Sequence, residues 1–107
     1  MITDEAAESA VDFLRDSALA VAEARSNRIY ADEFRRHLKA ILMELTPDQP
    51  LGAQERDAYG HEKYLEHIKL MRKAILDDER LRAQREAAIM KIEAWRSQSA
   101  NMRGFKV

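Results

Sequence analysis

Apolar side chains recur at helical spacing along the second half of the chain, where no proline or glycine occurs between residues 61 and 100. Two apolar rows cross this stretch: the first is Tyr64, Ile68, Met71 and Ile75, and the second is Leu81, Ala88, Ile92 and Trp95, with Arg85 in the gap. Such steps place each row on one face of an amphipathic helix, so we predict a long helix over residues 61–100. The two rows do not share one heptad register, which predicts that the buried face shifts around the helix near Asp78.

Four consecutive charged residues, from Asp77 to Arg80, separate the two rows. We interpret them as a solvent-exposed face of the helix. The alternative is a polar patch that contacts a partner or sets the register of an oligomer. On the first interpretation, Asp78→Ala leaves stability almost unchanged, whereas Ile68→Asp unfolds or dissociates the protein.

The first half of the chain predicts a second long helix, over residues 4–45. Thr3 supplies an N-cap hydroxyl, and the two carboxylates that follow it lie at the positive end of the helix dipole. A bulky apolar stripe runs along the later part of this helix: Tyr30, Phe34, Leu38, Ile41 and Leu45. Weak helix formers interrupt the middle, so a kink or short break within residues 25–28 is left open.

Both prolines and one of the three glycines fall within residues 46–52, which predicts a compact turn. Residues 53–59 then suit a short helix, ended by Gly60 as a left-handed cap. Residues 101–107 lose the apolar period and are predicted to fray. Two long helices joined by a compact turn imply an antiparallel hairpin. The predicted fold is therefore all-α and coiled-coil-like, with a short helix in the turn and a single domain over residues 1–107.

The distribution of charge supports this antiparallel pairing. Residues 1–24 carry six acidic side chains and one basic one, whereas residues 81–107 carry six basic and two acidic ones. An antiparallel hairpin places these two segments side by side. Their attraction favours that orientation, although each exposed pair contributes only ~0–1 kcal/mol to stability.

A single hairpin buries one seam, yet apolar residues occupy more than one face of the first predicted helix. The residues predicted to form the core or the oligomer seam are Tyr30, Phe34, Leu38, Ile41, Ile68, Met71, Ile75, Leu81, Ile92 and Trp95. A chain of 107 residues without disulfides or metal usually needs further burial. We therefore expect a homodimer that completes a four-helix bundle, a larger homo-oligomer, or docking onto another protein.

Composition excludes several classes of chemistry. The chain has no cysteine, which excludes disulfides and thiol catalysis, and its three scattered glycines do not build a phosphate-binding loop. None of the three histidines has a glutamate three residues before it, so the di-iron bundle pattern is absent. We predict no enzymatic activity, no cofactor and no metal. The formal net charge of −1 gives no general attraction to nucleic acid.

No apolar run approaches the ~18 residues that a membrane-spanning helix needs. The N-terminal segment is acidic, whereas a secretory signal begins with basic residues. The expected location is the cytoplasm.

An aromatic group at the predicted helix break is a candidate partner-binding site. It consists of Tyr59, His61 and Tyr64, which offer rigid aromatic surface with polar tips. Two interpretations are open: the tyrosines close the end of the hairpin, or the three residues form a recognition site for a protein partner.

Basic residues in the first predicted helix give residues 25–40 a net charge of +3. They are Arg25, Arg28, Arg35, Arg36 and Lys39. Because they wrap around the helix instead of forming one stripe, direct nucleic-acid binding is an alternative and not the leading hypothesis.

Two segments resemble small helical proteins that tailed bacteriophages encode near their recombination and replication genes. They are Ala53-Gln54-Glu55-Arg56-Asp57-Ala58-Tyr59-Gly60-His61-Glu62-Lys63-Tyr64-Leu65 and Lys91-Ile92-Glu93-Ala94-Trp95-Arg96-Ser97-Gln98-Ser99-Ala100-Asn101. In that group a proline often follows the histidine, where this chain has Glu62. The resemblance implies an accessory role in DNA metabolism and brings no catalytic residues with it.

The leading hypothesis is a non-enzymatic phage accessory or adaptor protein that acts through protein–protein contacts in DNA recombination or replication, in the cytoplasm of a bacterial host. One alternative is a protein that binds single-stranded nucleic acid directly. Another is an oligomeric small-ligand-binding protein or host-defence antagonist.

Overall fold

A computed structural model describes residues 1–105, with side chains described as far as Gly104. This part of the chain contains four helices and no strand. The helices are α1 (Asp4–Asp16), α2 (Ala18–Met43), α3 (Leu51–Tyr59) and α4 (Glu62–Phe105). The predicted all-α hairpin with a short helix in its turn is confirmed.

Helix α1 begins as predicted. Thr3 has an extended backbone, and its hydroxyl accepts a hydrogen bond from the Ala6 N–H at 3.1 Å. Asp4 and Glu5 follow in the first turn. The side-chain cap and the two carboxylates both offset the unpaired N–H groups at this end.

The predicted helix over residues 4–45 is divided at Ser17 and ends at Met43, whereas residues 25–28 lie inside α2 without a break. At the division Arg85 Nη1 donates to the Leu14 carbonyl at 2.8 Å and to Ser17 Oγ at 2.9 Å. A side chain that enters the backbone hydrogen-bond ladder interrupts a helix locally. The guanidinium of Arg85 therefore accounts for the position of the break.

The turn differs from its prediction in two details. Helix α3 begins at Leu51, directly after Pro50, and the Gln54 amide closes the turn by donating to the Gln49 carbonyl at 2.9 Å. Gly60 has φ −84° and ψ −3°, so it ends α3 in the right-handed region and not as a left-handed cap. Its N–H still bonds the Arg56 carbonyl at 3.0 Å, which extends the helical pattern by one residue.

Helix α4 starts at Glu62 with a side-chain cap from the preceding residue. His61 Nδ1 accepts a hydrogen bond from the Lys63 N–H at 3.0 Å. The helix continues through residues 101–105, which were predicted to fray, and residues 106–107 of the predicted frayed tail lie outside the described part.

The described residues form two compact units. One comprises residues 1–22 with the chain from Glu79 onward, and there the start of α1 lies beside the end of α4. Gln98 Oε1 accepts from the Ile2 N–H at 3.0 Å, and its Nε2 donates to the Ile2 carbonyl at 2.8 Å. The acidic start and the basic end are thus neighbours, as their charge predicts.

The second unit comprises Glu23–Asp78 and contains the turn. Leu42, Ala58 and Tyr64 are buried together, so the end of α2, helix α3 and the start of α4 meet in one cluster. At the other end of this unit Arg28 of α2 contacts Asp78 of α4. Helices α2 and α4 therefore run antiparallel within the unit.

Most buried and half-buried positions of α4 follow a single heptad register, with steps of three and four residues. The positions in this register are Tyr64, His67, Met71, Ala74, Asp78, Leu81, Arg85, Ala88, Ile92, Trp95 and Ser99, and Asp77 and Gln98 are half-buried beside it. The predicted shift of the buried face near Asp78 is therefore wrong. The register is continuous because three of its positions are occupied by polar residues, which are His67, Asp78 and Arg85.

The positions of α1 and α2 that face α4 show the same heptad steps of three and four residues. They are Ala7, Ala10, Leu14, Ser17, Val21, Ala24, Arg28, Ala31, Arg35, Leu38 and Leu42. Alanine dominates the buried apolar residues, and no large side chain in the described part is less than 2% exposed. Small side chains let the helices approach closely but bury little apolar area.

Six of the ten predicted seam residues are half-buried: Phe34, Leu38, Met71, Leu81, Ile92 and Trp95. The other four are exposed: Tyr30 by 68%, Ile41 by 44%, Ile68 by 45% and Ile75 by 43%. This corrects their assignment to the core of one chain. The reason is register, because each occupies a heptad position outside the buried one.

Asp78 is 4% exposed, which contradicts its interpretation as a solvent-exposed residue. Its Oδ2 lies 2.8 Å from Arg28 Nε. The N–H does not point along this line, so the contact is an ion pair without a well-formed hydrogen bond. Removing one partner from a buried pair leaves the other charge uncompensated, although Arg28 is one-third exposed and keeps some hydration.

We expect Asp78→Ala to lower the free energy of unfolding by about 2 kcal/mol, because Arg28 loses its carboxylate partner. The matched control is Glu79→Ala, whose exposed side chain forms only a 3.9 Å pair with Arg82 and should change stability by less than ~0.5 kcal/mol. Urea unfolding followed by circular dichroism, at one fixed protein concentration, measures both variants. Equal stability of the two variants would contradict the buried ion pair.

Candidate protein-interaction surface

The two tyrosines at the turn have different environments. Tyr64 is buried beside Leu42 and Ala58, and its ring meets that of Tyr59 edge-on with centroids 5.2 Å apart. Tyr59 remains half exposed. Tyr64 therefore closes the end of the hairpin, whereas the outer face of Tyr59 is available to a partner.

His61, the third predicted member of this site, has a structural role. Its ring nitrogen caps the first turn of α4, and the residue is half-buried. A ring that accepts a backbone hydrogen bond is oriented by the helix terminus. The structure thus brings the three residues near one helix junction, and Tyr59 is the most exposed of them.

Lys39 lies over this junction. Its Nζ is 4.8 Å from the centroid of the Tyr59 ring and 3.5 Å from Glu55 Oε1. The hydrogen-bonding interaction with Tyr59 is the main cause that raises the pKa of Lys39, and the charge of Glu55 raises it further. Because the folded pKa lies above the unfolded one, this contact stabilises the fold at neutral pH and is lost only as the pH rises through the raised value.

Four of the five basic residues proposed for nucleic-acid binding have carboxylate partners. The pairs are Arg28 with Asp78 at 2.8 Å, Arg35 with Asp32 at 3.4 Å, Arg36 with Glu33 at 4.0 Å and Lys39 with Glu55 at 3.5 Å. Arg25 is exposed. A phosphate group would have to compete with these carboxylates, so this part of α2 offers a weak electrostatic surface for nucleic acid.

His67 is a buried polar residue that apolar spacing did not identify. Its Nε2 lies 2.6 Å from the Ala31 carbonyl, and its ring centroid lies 5.2 Å from that of Phe34. Since a carbonyl only accepts, Nε2 carries the proton in this contact. Position 67 lies two heptads before Leu81, so the heptad spacing of the sequence could have identified His67 as a buried residue.

Large apolar side chains remain exposed along both helices of the unit Glu23–Asp78. On α2 they are Ile29, Tyr30 and Ile41, and on α4 they are Leu65, Ile68, Leu70, Ile75 and Leu76. Single exposed apolar residues are ordinary, but Leu65, Ile68, Ile75 and Leu76 have helical spacings that place them on one side of α4. This exposed apolar surface is the candidate functional site.

The other unit also exposes apolar residues, and open grooves occur along its described part. Val11, Leu19, Ile89 and Met90 are exposed there. One groove of about 370 Å³ includes Phe13 and Lys91, and one of about 640 Å³ includes Trp95 and Arg103. Both open widely to solvent, and neither encloses a site for a small ligand.

Within residues 1–105, no cluster of three His, Asp or Glu side chains is arranged to hold a metal ion. The helices in the same range are not apolar enough over a sufficient length to cross a bilayer. In comparisons with protein-family models, curated proteins and solved structures, the chain matches none of them.

We expect Tyr64→Ala to cost about 3 kcal/mol of stability, because it removes a buried ring from the cluster at the turn. Tyr59→Ala removes a half-exposed ring and should cost less than about 1 kcal/mol. Thermal and urea unfolding distinguish the two positions. Equal losses would show that the two rings share one environment, contrary to the structure.

Proposed function

We propose that this chain is a non-enzymatic helical adaptor that acts through protein–protein contacts. The observation that carries the proposal is the exposed apolar surface of Glu23–Asp78, a unit whose fully buried apolar residues are mostly alanine. The water-exposed leucine and isoleucine side chains on one side of α4 gain free energy when another polypeptide covers them.

The biological setting that we propose is phage DNA recombination or replication in the cytoplasm of a bacterial host. Support comes from the resemblance of residues 53–65 and 91–101 to accessory proteins encoded near such genes. The adaptor would then bring together proteins of that process, and its own contribution would be binding surface.

Nucleic-acid binding is the alternative function, and the ion pairs of the basic residues in α2 disfavour it. We expect labelled single-stranded oligonucleotides to show no saturable rise in fluorescence anisotropy, even at low salt, where phosphate contacts are strongest. Saturable binding that weakens with salt and with Arg25→Ala would contradict this expectation and favour the alternative.

The adaptor proposal is tested by affinity capture of the tagged chain from phage-infected bacteria, followed by quantitative mass spectrometry. We expect the natural chain to retain a defined phage or host protein, and Ile68→Asp combined with Ile75→Asp to release it. Both isoleucines are more than 40% exposed, so the hairpin should keep its helical content. The matched control, Lys63→Asp with Lys73→Asp, changes charge on the same helix and leaves its apolar residues intact.

Failure takes two forms. Retention of the same protein by the isoleucine variant would show that this surface is not the contact. Retention of no protein by the natural chain would contradict the adaptor function.

A further inference from the structure

One side of α4 in the unit Glu23–Asp78 combines exposed apolar residues with a cation. Arg72 lies on this side, because it follows Ile68 by four residues and precedes Ile75 by three. All three side chains are exposed. We call this surface the basic apolar side of α4, and its members are Leu65, Ile68, Lys69, Arg72, Ile75 and Leu76.

Helix α4 has no acid of its own within reach of Arg72. The positions three and four residues away, from which a side chain of the same helix could contact it, hold Ile68, Lys69, Ile75 and Leu76. In the part of the chain that the structure describes, no carboxylate lies within ion-pair distance of its guanidinium. Arg72 is therefore a cation without an anionic partner, and it lies among apolar side chains.

The other side of the same helix shows the opposite arrangement. Lys63 Nζ lies 3.9 Å from Glu66 Oε2, and Lys73 Nζ lies 3.5 Å from Asp77 Oδ2. Each of these lysines has an acid at helical spacing. The shortage of acids is thus confined to the side of α4 that also exposes leucine and isoleucine.

The spacing on this side suits a helical partner. Leu65, Ile68, Arg72 and Ile75 follow steps of three, four and three residues, which is the pattern by which one helix packs on another. In such pairs the apolar residues supply contact area, and the charges select the partner. An arginine suits a carboxylate here, since its stem packs on apolar neighbours and its guanidinium binds both oxygens.

Two other occupants fit this side less well. It holds no aromatic residue on which a base could stack, so single-stranded nucleic acid would leave its leucines and isoleucines uncovered. Within the described chain the most acidic helix is α1, whose Ala7 and Ala10 are already buried. In a second copy, the helix best able to supply carboxylates is therefore already packed within its own chain.

We propose that the basic apolar side of α4 binds an amphipathic helix of another protein, which packs an apolar stripe on Ile68 and Ile75 and directs a carboxylate to Arg72. This inference rests on the proposed function, because it names the chemistry of the partner that the adaptor binds. Lys69 adds to the attraction, so a partner helix whose apolar stripe is bordered by several acids fits best.

Two synthetic helical peptides with the same apolar stripe test the proposal. One has leucines at the a and d positions and glutamates at the e and g positions, and its twin has lysines in place of the glutamates. We expect fluorescence anisotropy to show that the natural chain binds the acidic peptide about 10-fold more tightly than the basic one, because only the acidic one supplies carboxylates.

Neighbouring cations on opposite sides of α4 provide matched variants. Arg72→Glu should remove the preference for the acidic peptide, and its combination with Lys69→Glu should reverse that preference. Lys73→Glu makes the same change of charge on the other side and should leave the preference within about 3-fold of its natural value. All three side chains are exposed, so circular dichroism should show unchanged helical content.

The proposal is overturned if the chain does not bind the acidic peptide, if it binds both peptides equally, or if Arg72→Glu and Lys73→Glu lose the preference equally. Displacement of the acidic peptide by a single-stranded oligonucleotide would assign this side to nucleic acid. A dimer in light scattering that Arg72→Glu dissociates would assign it to a second copy. Either result also overturns the proposal.

Capture from phage-infected bacteria separates this inference from the adaptor function. A captured protein that Ile68→Asp with Ile75→Asp releases, but that Arg72→Glu still retains, supports the adaptor function and overturns the acidic partner. Selective binding of the acidic peptide by a chain that captures no protein supports this inference and contradicts only the adaptor function.

Discussion

Close antiparallel packing of small side chains is the constraint on which the rest of this structure depends. Alanine occupies buried seam positions in both compact units, including Ala10 and Ala88 in one and Ala24 and Ala31 in the other. A buried alanine removes little apolar area from water, so the seam contributes modestly to stability. Many large apolar side chains remain on the outer faces of the helices.

Polar groups within the seam determine how the helices align. Arg85 bonds the Leu14 carbonyl and the Ser17 hydroxyl, and His67 bonds the Ala31 carbonyl. An alanine seam alone would permit several registers, because its positions are nearly equivalent. A shifted register would bury these polar groups without their partners, and that cost selects one alignment.

The sequence predicted the main elements because their signals are local. The turn follows from two prolines and a glycine, and the start of α1 follows from Thr3 and its acidic neighbours. The break at Ser17 was not predictable in this way, since it depends on Arg85, which is distant in sequence. Asp78 was predicted to be exposed because the expected core was defined mainly by large apolar residues. In the structure, alanine and paired polar residues occupy much of the buried core.

The exposed apolar residues of α2 in the candidate site belong to a second stripe of that helix. Tyr30 and Ile41 were predicted from their spacing to lie in the core or in an oligomer seam, and the structure places them on a second stripe of α2 beside the buried one. In the sequence alone, the two stripes cannot be distinguished, because their residues have the same helical spacing. Only the position of α4 distinguishes the covered stripe from the uncovered one.

The most direct test of this account is the urea midpoint of the natural chain as a function of protein concentration. If the buried seam contributes too little free energy for one chain to fold alone, folding is coupled to association. The midpoint then rises with concentration, and a hundredfold increase adds about 2.7 kcal/mol of apparent stability. A midpoint that stays constant over that range would show that one chain is stable with its apolar surface uncovered, which contradicts the account.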